Sequence, residues 1–437
     1  MSKLSVGVIS LGCDKNRVDT EKMLAIISKK FSVTPDPLQA DVIVINTCAF
    51  LKKAREEAIG EILSVGALKL ERPNLKLIVT GCLPQKFVYE LFDELPEVDA
   101  FMGVSDYAEI NQVISKVLQG ERVNAVGEPR GECGKNRLLT TSGYAYLKIA
   151  DGCSNHCTYC LIPSIRGKFR SVPQADLIEE VKGLGKVKEL ILVAQDVTKY
   201  GQDFNDGTTL VTLIKNISNM TTVDSIRLLY CYPEGITDEL IAEFKANPKL
   251  VKYLDIPMQH ADDGVLKKMN RKGTGESYLG LVNKLKEQVP QIAIRSTFIT
   301  GFPGETQEAF DNLVVFLQKA KLFNAGFFAY SREEGTPAYK LPDQIDSKTK
   351  NSRLKKLYSV QKKVVKENLR ALVGKTIKVF AEGFDENSLT YFGRAYFNAP
   401  DIDGKIYFFA DDEISYGHTY DVLITKADGY DLYGERL

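Results

Sequence analysis

Cys153-Ser-Asn-His-Cys-Thr-Tyr-Cys160 sets three cysteines in a C-x-x-x-C-x-x-C spacing on one short segment. Three thiolates this close can hold three corners of a cubane iron-sulfur cluster and leave the fourth iron without a protein ligand. An open iron is a place for chemistry. A structural zinc is the competing reading, but it takes four ligands, usually as separated C-x-x-C pairs, and His156 lies inside the loop where it cannot easily turn back to join the thiols. An α/β protein is expected around this segment, because the strand 145–149 leads directly into it and further short apolar strands at 189–193, 225–229, 253–256, 293–299 and 325–330 alternate with helical stretches. Six such units make an open, partial form of the parallel β/α barrel, with its chemistry at the carboxyl ends of the strands. Those ends carry Gln195 and Asp196, Gln259 and His260, and the loop Gly301-Phe-Pro-Gly-Glu305.

Upstream, strands at 4–10, 41–46, 75–80 and 99–103 alternate with helical patterns, as in a parallel sheet covered by helices. Cys13 follows the first strand, Cys48 the second and Cys82 the third. Loops beyond the carboxyl ends of parallel strands share one edge, so the three cysteines converge there and suggest a second cluster, again with three ligands. Gly12 and Gly81, each beside a cysteine, let backbone approach a metal closely. Downstream, residues 346–372 carry a helical stripe of Leu354, Leu357, Val360, Val364 and Leu369, and 373–437 shows short alternating strands with Asp-Gly turns, as in a small antiparallel β-barrel. The expected organisation is therefore 1–126, a glycine-bearing linker 127–143, a core at 144–345, a connecting helix 346–372 and a terminal barrel 373–437. Cys133 in the linker reads as a surface thiol and Cys231 as packing; His418 carries no ligand pattern.

The 437 residues hold 57 basic and 57 acidic side chains, so no global field draws the chain to nucleic acid. Eight cysteines, six in ligand-like positions, fit a reducing compartment. No apolar run approaches the ~18 residues that cross a bilayer, and no signal peptide is evident. A cytoplasmic protein is expected, with no membrane partner.

Together, Ser10-Leu-Gly-Cys-Asp-Lys-Asn16, Asn46-Thr-Cys48, Gly81-Cys82, the Cys153 to Cys160 run followed by Ile162-Pro-Ser-Ile-Arg-Gly167, and Gly301-Phe-Pro-Gly-Glu-Thr306 resemble the methylthiotransferase family of radical S-adenosylmethionine (SAM) enzymes over essentially the whole chain. The resemblance implies two 4Fe–4S clusters, one on Cys153, Cys157 and Cys160 that binds SAM, and an auxiliary one on Cys13, Cys48 and Cys82 that holds the sulfur to be transferred. It implies an external electron donor as well. Gln195, Gln259, Arg295, Glu305 and Tyr330, at strand ends, are candidates for cradling SAM. Asp255-Ile-Pro-Met-Gln-His260, Gly393-Arg-Ala-Tyr-Phe-Asn-Ala-Pro400 and Tyr430-Asp-Leu-Tyr-Gly434 are similar to the branch that modifies the β-carbon of an aspartate in the twelfth protein of the small ribosomal subunit.

The terminal segment resembles a TRAM domain, which grips RNA in tRNA-modifying relatives. Between 371 and 437 there are twelve acidic residues against six basic ones, a net charge of −6. Such a surface repels a phosphate backbone and attracts a basic ribosomal protein, so a protein substrate is expected and direct nucleic-acid binding is not. The alternatives are a tRNA adenosine methylthiotransferase and, from another class, a non-enzymatic iron-sulfur carrier.

Overall fold

A computed structural model describes residues 4–130 and 135–437; Cys133 lies outside the described residues. The first six strands, β1 (Ser5–Ser10), β2 (Ser32–Val33), β3 (Val42–Thr47), β4 (Lys76–Gly81), β5 (Ala100–Met102) and β6 (Val123–Ala125), form a wholly parallel sheet in the order β2-β1-β3-β4-β5-β6. Helices α1 (Asp14–Ile27) and α4 (Ile110–Leu118) cover one face, with Met23, Ile27, Ile114 and Val117 against Val6, Val44 and Ile78. On the other face α2 (Lys52–Ala67) and α3 (Cys82–Glu94) bring Ala58, Ile62, Leu83 and Leu91 against Ile43, Ile45 and Val79. Every residue of β3 is buried, as a central strand covered on both faces requires. β2 and β6 escaped the sequence reading because, at two and three residues, edge strands this short show no period.

The barrel begins with β7 (Tyr144–Lys148). A short antiparallel pair, β8 (Ala150–Asp151) with β9 (Arg170–Ser171), then clamps the base of the cysteine loop, which contains α5 (Ile162–Arg166). The strands β10 (Val187–Val193), β11 (Val223–Leu228), β12 (Leu250–Asp255), β13 (Ala293–Thr300) and β14 (Asn324–Ala329) complete a six-stranded parallel sheet in the order β14-β13-β12-β11-β10-β7. Its first and last strands are not paired with each other, so the barrel is open. Helices α6 (Gln174–Gly183), α7 (Leu210–Ser218), α8 (Asp238–Ala246), α9 (Asp263–Lys268), α10 (Gly275–Gln288) and α11 (Gln307–Ala320) follow in chain order. Alternation along the strands decides which residues meet which layer. Ala145, Leu147, Leu190 and Leu192 join the core shared with Leu177, Leu213, Ile241 and Leu313 of the covering helices. Tyr146, Ile191 and Val193, on the opposite face, join a second core.

That second core ties three parts of the chain together. It runs from Val18 of α1 through Tyr146, Ile191, Leu229 and Tyr253 of the barrel to Val379, Phe397 and Ile406 of the terminal domain. The connecting helix α12 (Ser347–Arg370) serves two cores: Leu357 and Val360 bury against the barrel, Val365 and Leu369 against the terminal domain. The terminal domain is a closed barrel of β15 (Thr376–Asp385), β16 (Thr390–Arg394), β17 (Ile406–Phe409), β18 (Thr419–Asp428) and β19 (Asp431–Arg436), in the order β15-β16-β17-β19-β18. Pairing is antiparallel except between β17 and β19, which run parallel. Closure leaves no open sheet edge.

The stretch read as a linker is also fastened down. Arg137 is fully buried between Glu21 of α1 and Glu180 of α6, donates to the Tyr146 carbonyl, and shares Glu180 with Lys22, 3.2 Å away. Arg137→Ala would strand two buried carboxylates. It is expected to lower stability by about 3–5 kcal/mol, read as a lower urea midpoint; a midpoint equal to that of the parent would mean that this segment is a free tether.

Candidate active site

The three strands that precede cysteines in the first domain are neighbours in the sheet, and their register aligns the following loops. Ser10 pairs with Asn46, Asn46 with Thr80, and Thr47 with Gly81. Cys13, Cys48 and Cys82 therefore emerge side by side at one edge. Gly12, at φ +93°, leaves no room for a side chain: a Cβ there would lie 2.7 Å from that of Cys48. Gly81, at φ +97°, is equally confined, by the Asn46 side chain and the Thr47 carbonyl. Asn16 fixes the first loop by donating to the carbonyls of Leu11 and Thr47, at 3.2 and 2.9 Å.

Cys153, Cys157 and Cys160 lie on the loop between β8 and β9, tied by Cys153 N–H to the Gly167 carbonyl at 3.0 Å and Cys160 N–H to the Cys157 carbonyl at 3.1 Å. The Tyr232 hydroxyl is 3.2 Å from Cys157 Sγ. Asn155 donates to Asp196 at 2.9 Å, and Asn270 donates to the His156 carbonyl at 2.9 Å. His156 itself has φ +52° and is exposed.

The donor chemistry fits iron-sulfur clusters. Among the described residues no group of three or more His, Cys, Asp and Glu side chains is arranged to hold a single ion. A cubane instead takes one thiolate per iron, so its ligands need not close on one point. Burial pushes the thiols of Cys48 and Cys153 up, and those of Cys82 and Cys160 to about 12. In each triad the neighbouring cysteines add to the rise, which reflects their mutual approach. All-sulfur donor sets of this kind would become ligands when iron supplies the positive charge that burial denies them.

Beside the first triad sits Arg166, fully buried at the end of α5, six residues along the chain from Cys160. Its guanidinium donates to Asp151 at 3.0 and 3.2 Å, to Asp19 at 3.2 Å and to Asn16 Oδ1 at 2.8 Å, and it reaches the Cys82 thiol. Lys148 joins Asp19 and, at 3.3 Å, Asp151. Burial alone would raise the Asp151 carboxyl; Arg166 and then Lys148 overcome it and hold the group well below the usual carboxylate range. On the barrel side Tyr230, at φ +62°, donates to Asp14 Oδ1 at 3.2 Å, while Lys15 Nζ sits 3.3 Å from the centre of its ring.

Of the strand-end candidates, Gln195 donates to Asp151 at 3.2 Å and thus adjoins this network, with its Oε1 buried and without a partner among the described residues. Gln259 takes a left-handed backbone, φ +73°, between β12 and β13, where its N–H and carbonyl bond Thr297 and Ile299. Arg295 is spent on Asp255 at 2.8 Å and on Asp403 of the terminal barrel at 3.5 Å. Glu305 is enclosed, its carboxylate held by His260, Thr300, Gly301 and Arg353. Tyr330 packs edge-on against Phe302 in a small satellite core. The structure thus brings Gln195 to Asp151, two residues before Cys153, and engages Arg295 and Glu305 in ion pairs elsewhere. Sequence reasoning missed Arg166, Asp151, Asp19, Lys148 and Tyr232; the available signal was the position of Asp151 and Arg166 immediately flanking the cysteine run.

Three family models divide the chain much as the cores do. Residues 5–103 match the uncharacterized protein family UPF0004, residues 147–317 the radical SAM superfamily and residues 373–437 the TRAM domain. The ribosomal protein uS12 methylthiotransferase RimO of Lachnoclostridium phytofermentans is 45% identical over 437 residues, covering 99% of both chains. The chain belongs to the RimO family. The RimO of Trichlorobacter lovleyi is 44% identical across 100% of this chain and 99% of its own. Among solved structures, the radical SAM methyltransferase TsrM from Kitasatospora setae superimposes with a TM-score of 0.59 at 14% identity, over 77% of each chain, and so shares the fold alone. As a radical SAM methylthiotransferase of the RimO family, the protein uses SAM and a 4Fe–4S cluster.

Because the buried thiols must lose protons to become ligands, iron loading should release protons. At limiting iron, uptake by the apo-protein is expected to fall as the pH is lowered from about 8 to about 6, measured by iron content after anaerobic reconstitution. Uptake independent of pH would mean that other groups bind the metal.

Proposed function

We propose that Cys153, Cys157 and Cys160 hold the cluster that binds SAM, and that Cys13, Cys48 and Cys82 hold a second 4Fe–4S cluster. On this reading the chain adds a methylthio group to the β-carbon of an aspartate in ribosomal protein uS12. The observation that carries it is the pair of three-thiol sets at the carboxyl ends of two parallel sheets, in domains bridged by Arg166 and Lys148 through Asp19 and Asp151. When bound, the clusters and SAM supply hydrogen-abstracting and sulfur-donating chemistry that no amino-acid side chain offers. The protein's own residues do the rest. Tyr232 hydrogen-bonds Cys157, Arg166 balances negative charge beside Cys13 and Cys82, and the Asp151–Lys148–Asp19 network fixes one domain against the other.

Electrons come from an external donor. The exposed run Asp411-Asp412-Glu413 of the terminal barrel suits a lysine- and arginine-rich ribosomal protein. Among the described residues no helix is long and apolar enough to cross a membrane, and a reducing cytoplasm would keep all six thiols available.

Replacing Cys153, Cys157 or Cys160 with Ala is expected to abolish SAM cleavage and product together. Replacing Cys13, Cys48 or Cys82 should remove about half the iron, preserve some SAM cleavage and eliminate methylthio transfer. Methylthio product at the parent rate from the second set would overturn the auxiliary-cluster assignment. Mass spectrometry of uS12 and of tRNA from a deletion strain tests the substrate, with loss of the modification expected on the protein and none on tRNA.

A further inference from the structure

On the side of the barrel away from the thiols, the amino-terminal ends of β10, β11 and β12 face the terminal barrel across a cleft of about 660 Å3. Its walls present Lys188, Lys245, Lys249, Lys252, Lys378 and Arg394. The two acidic groups in the cleft are already matched: Asp224 by Lys188 at 2.9 Å, and Glu189 by both Arg227 and Arg394. Among the described residues Lys245 and Lys252 make no ion pair, and Lys249 reaches only the neutral Met220 carbonyl, at 2.7 Å. Arg394 is 4% exposed and forms part of the cleft floor, held by Glu189 and Glu382 and lying over the rings of Tyr144 and Phe380. Beside these cations Tyr396 is exposed, its ring held edge-on by Phe397 at 5.1 Å and its carbonyl fixed by Arg227 at 2.9 Å.

We propose that this cleft binds the phosphate backbone of RNA. Lys378 is paired with Asp421 at 3.0 Å, which leaves Lys245, Lys249 and Lys252 to offer charge to successive phosphates, and an immobilised aromatic face beside them offers a stacking platform, a combination that suits a nucleotide chain better than an acidic peptide. The chain is neutral overall, so no global field supplies the attraction. Most of the cations come from the barrel, which is why the acidic composition of the terminal segment does not forbid the binding. The inference goes beyond the protein-substrate reading and does not depend on it.

The test uses the anaerobically reconstituted full chain and a fluorescein-labelled single-stranded RNA of about 20 nucleotides, followed by anisotropy over a series of salt concentrations. The triple variant Lys245→Glu, Lys249→Glu, Lys252→Glu should bind at least about tenfold more weakly, and the slope of log affinity against log salt should shrink by about 2. A control triple, Lys29→Glu, Lys53→Glu, Lys116→Glu, makes the same change in net charge on exposed lysines of the first domain and should leave binding near that of the parent. Tyr396→Ala should weaken binding by about fivefold or more with the salt slope retained. Unfolding midpoints and SAM cleavage equal to those of the parent establish that the variants are folded. No binding by the parent, equal losses in both triples, or no effect of Tyr396→Ala would overturn the proposal. A polyglutamate peptide displacing the RNA at equal charge concentration would overturn it in favour of an acidic protein.

Discussion

One buried ionic contact organises the molecule. Arg166 leaves the segment that carries one triad, crosses the domain boundary, and lodges among Asn16, Asp19 and Cys82 of the domain that carries the other. Burying a guanidinium is costly unless its donors are matched, and Asp151 and Asp19 match them while Lys148 balances their surplus charge. The arrangement is directional as well as stabilising, since a planar fork bonded to two carboxylates admits only a narrow range of domain orientations. Slippage between the domains would leave several charges buried and unpaired at once.

The same geometry explains why each triad stops at three. A fourth thiolate would close the cluster and suit an electron carrier. On the proposed assignment, three thiolates confined to one loop, or to one sheet edge, would leave the remaining corner of each cluster facing whatever lies opposite. Gly12 and Gly81 matter because a side chain at either position would collide with the neighbouring loop. His156 is exposed to solvent.

Charge shows how far composition can mislead about a surface. The terminal segment carries an excess of acidic residues, but Asp403 is taken by Arg295, Asp401 by Arg17, and Glu382 by Arg394. The fold thus consumes part of that acidity, at contacts with the other domains for Asp401 and Asp403 and within the terminal barrel for Glu382. It leaves Asp411-Asp412-Glu413 exposed in one place and gathers lysines from the barrel in another. A sum over residues cannot distinguish two faces of opposite sign.

Much of the architecture was legible in the sequence because its signals are local. The six parallel strands of the barrel, the connecting helix and strands β1, β3, β4 and β5 of the first domain were readable from apolar period and turn chemistry, and the six cysteines stood out by spacing and by recurring after strands. The short strands β2, β6, β8 and β9 were not, since two or three residues carry no period; β5, equally short, lies within the legible stretch 99–103. Arg295 and Glu305 were legible as strand-end polar groups, but only the fold engages them in ion pairs away from the triads. The sequence by itself determined which groups could bind metal and on which kind of element each would lie, because cysteine spacing and strand pattern are properties of short segments. Tertiary structure alone decided that Arg166 of the barrel lodges beside the first triad, that Arg137 anchors the linker segment, and where unpaired charge survives, because each depends on side chains brought together from distant parts of the chain.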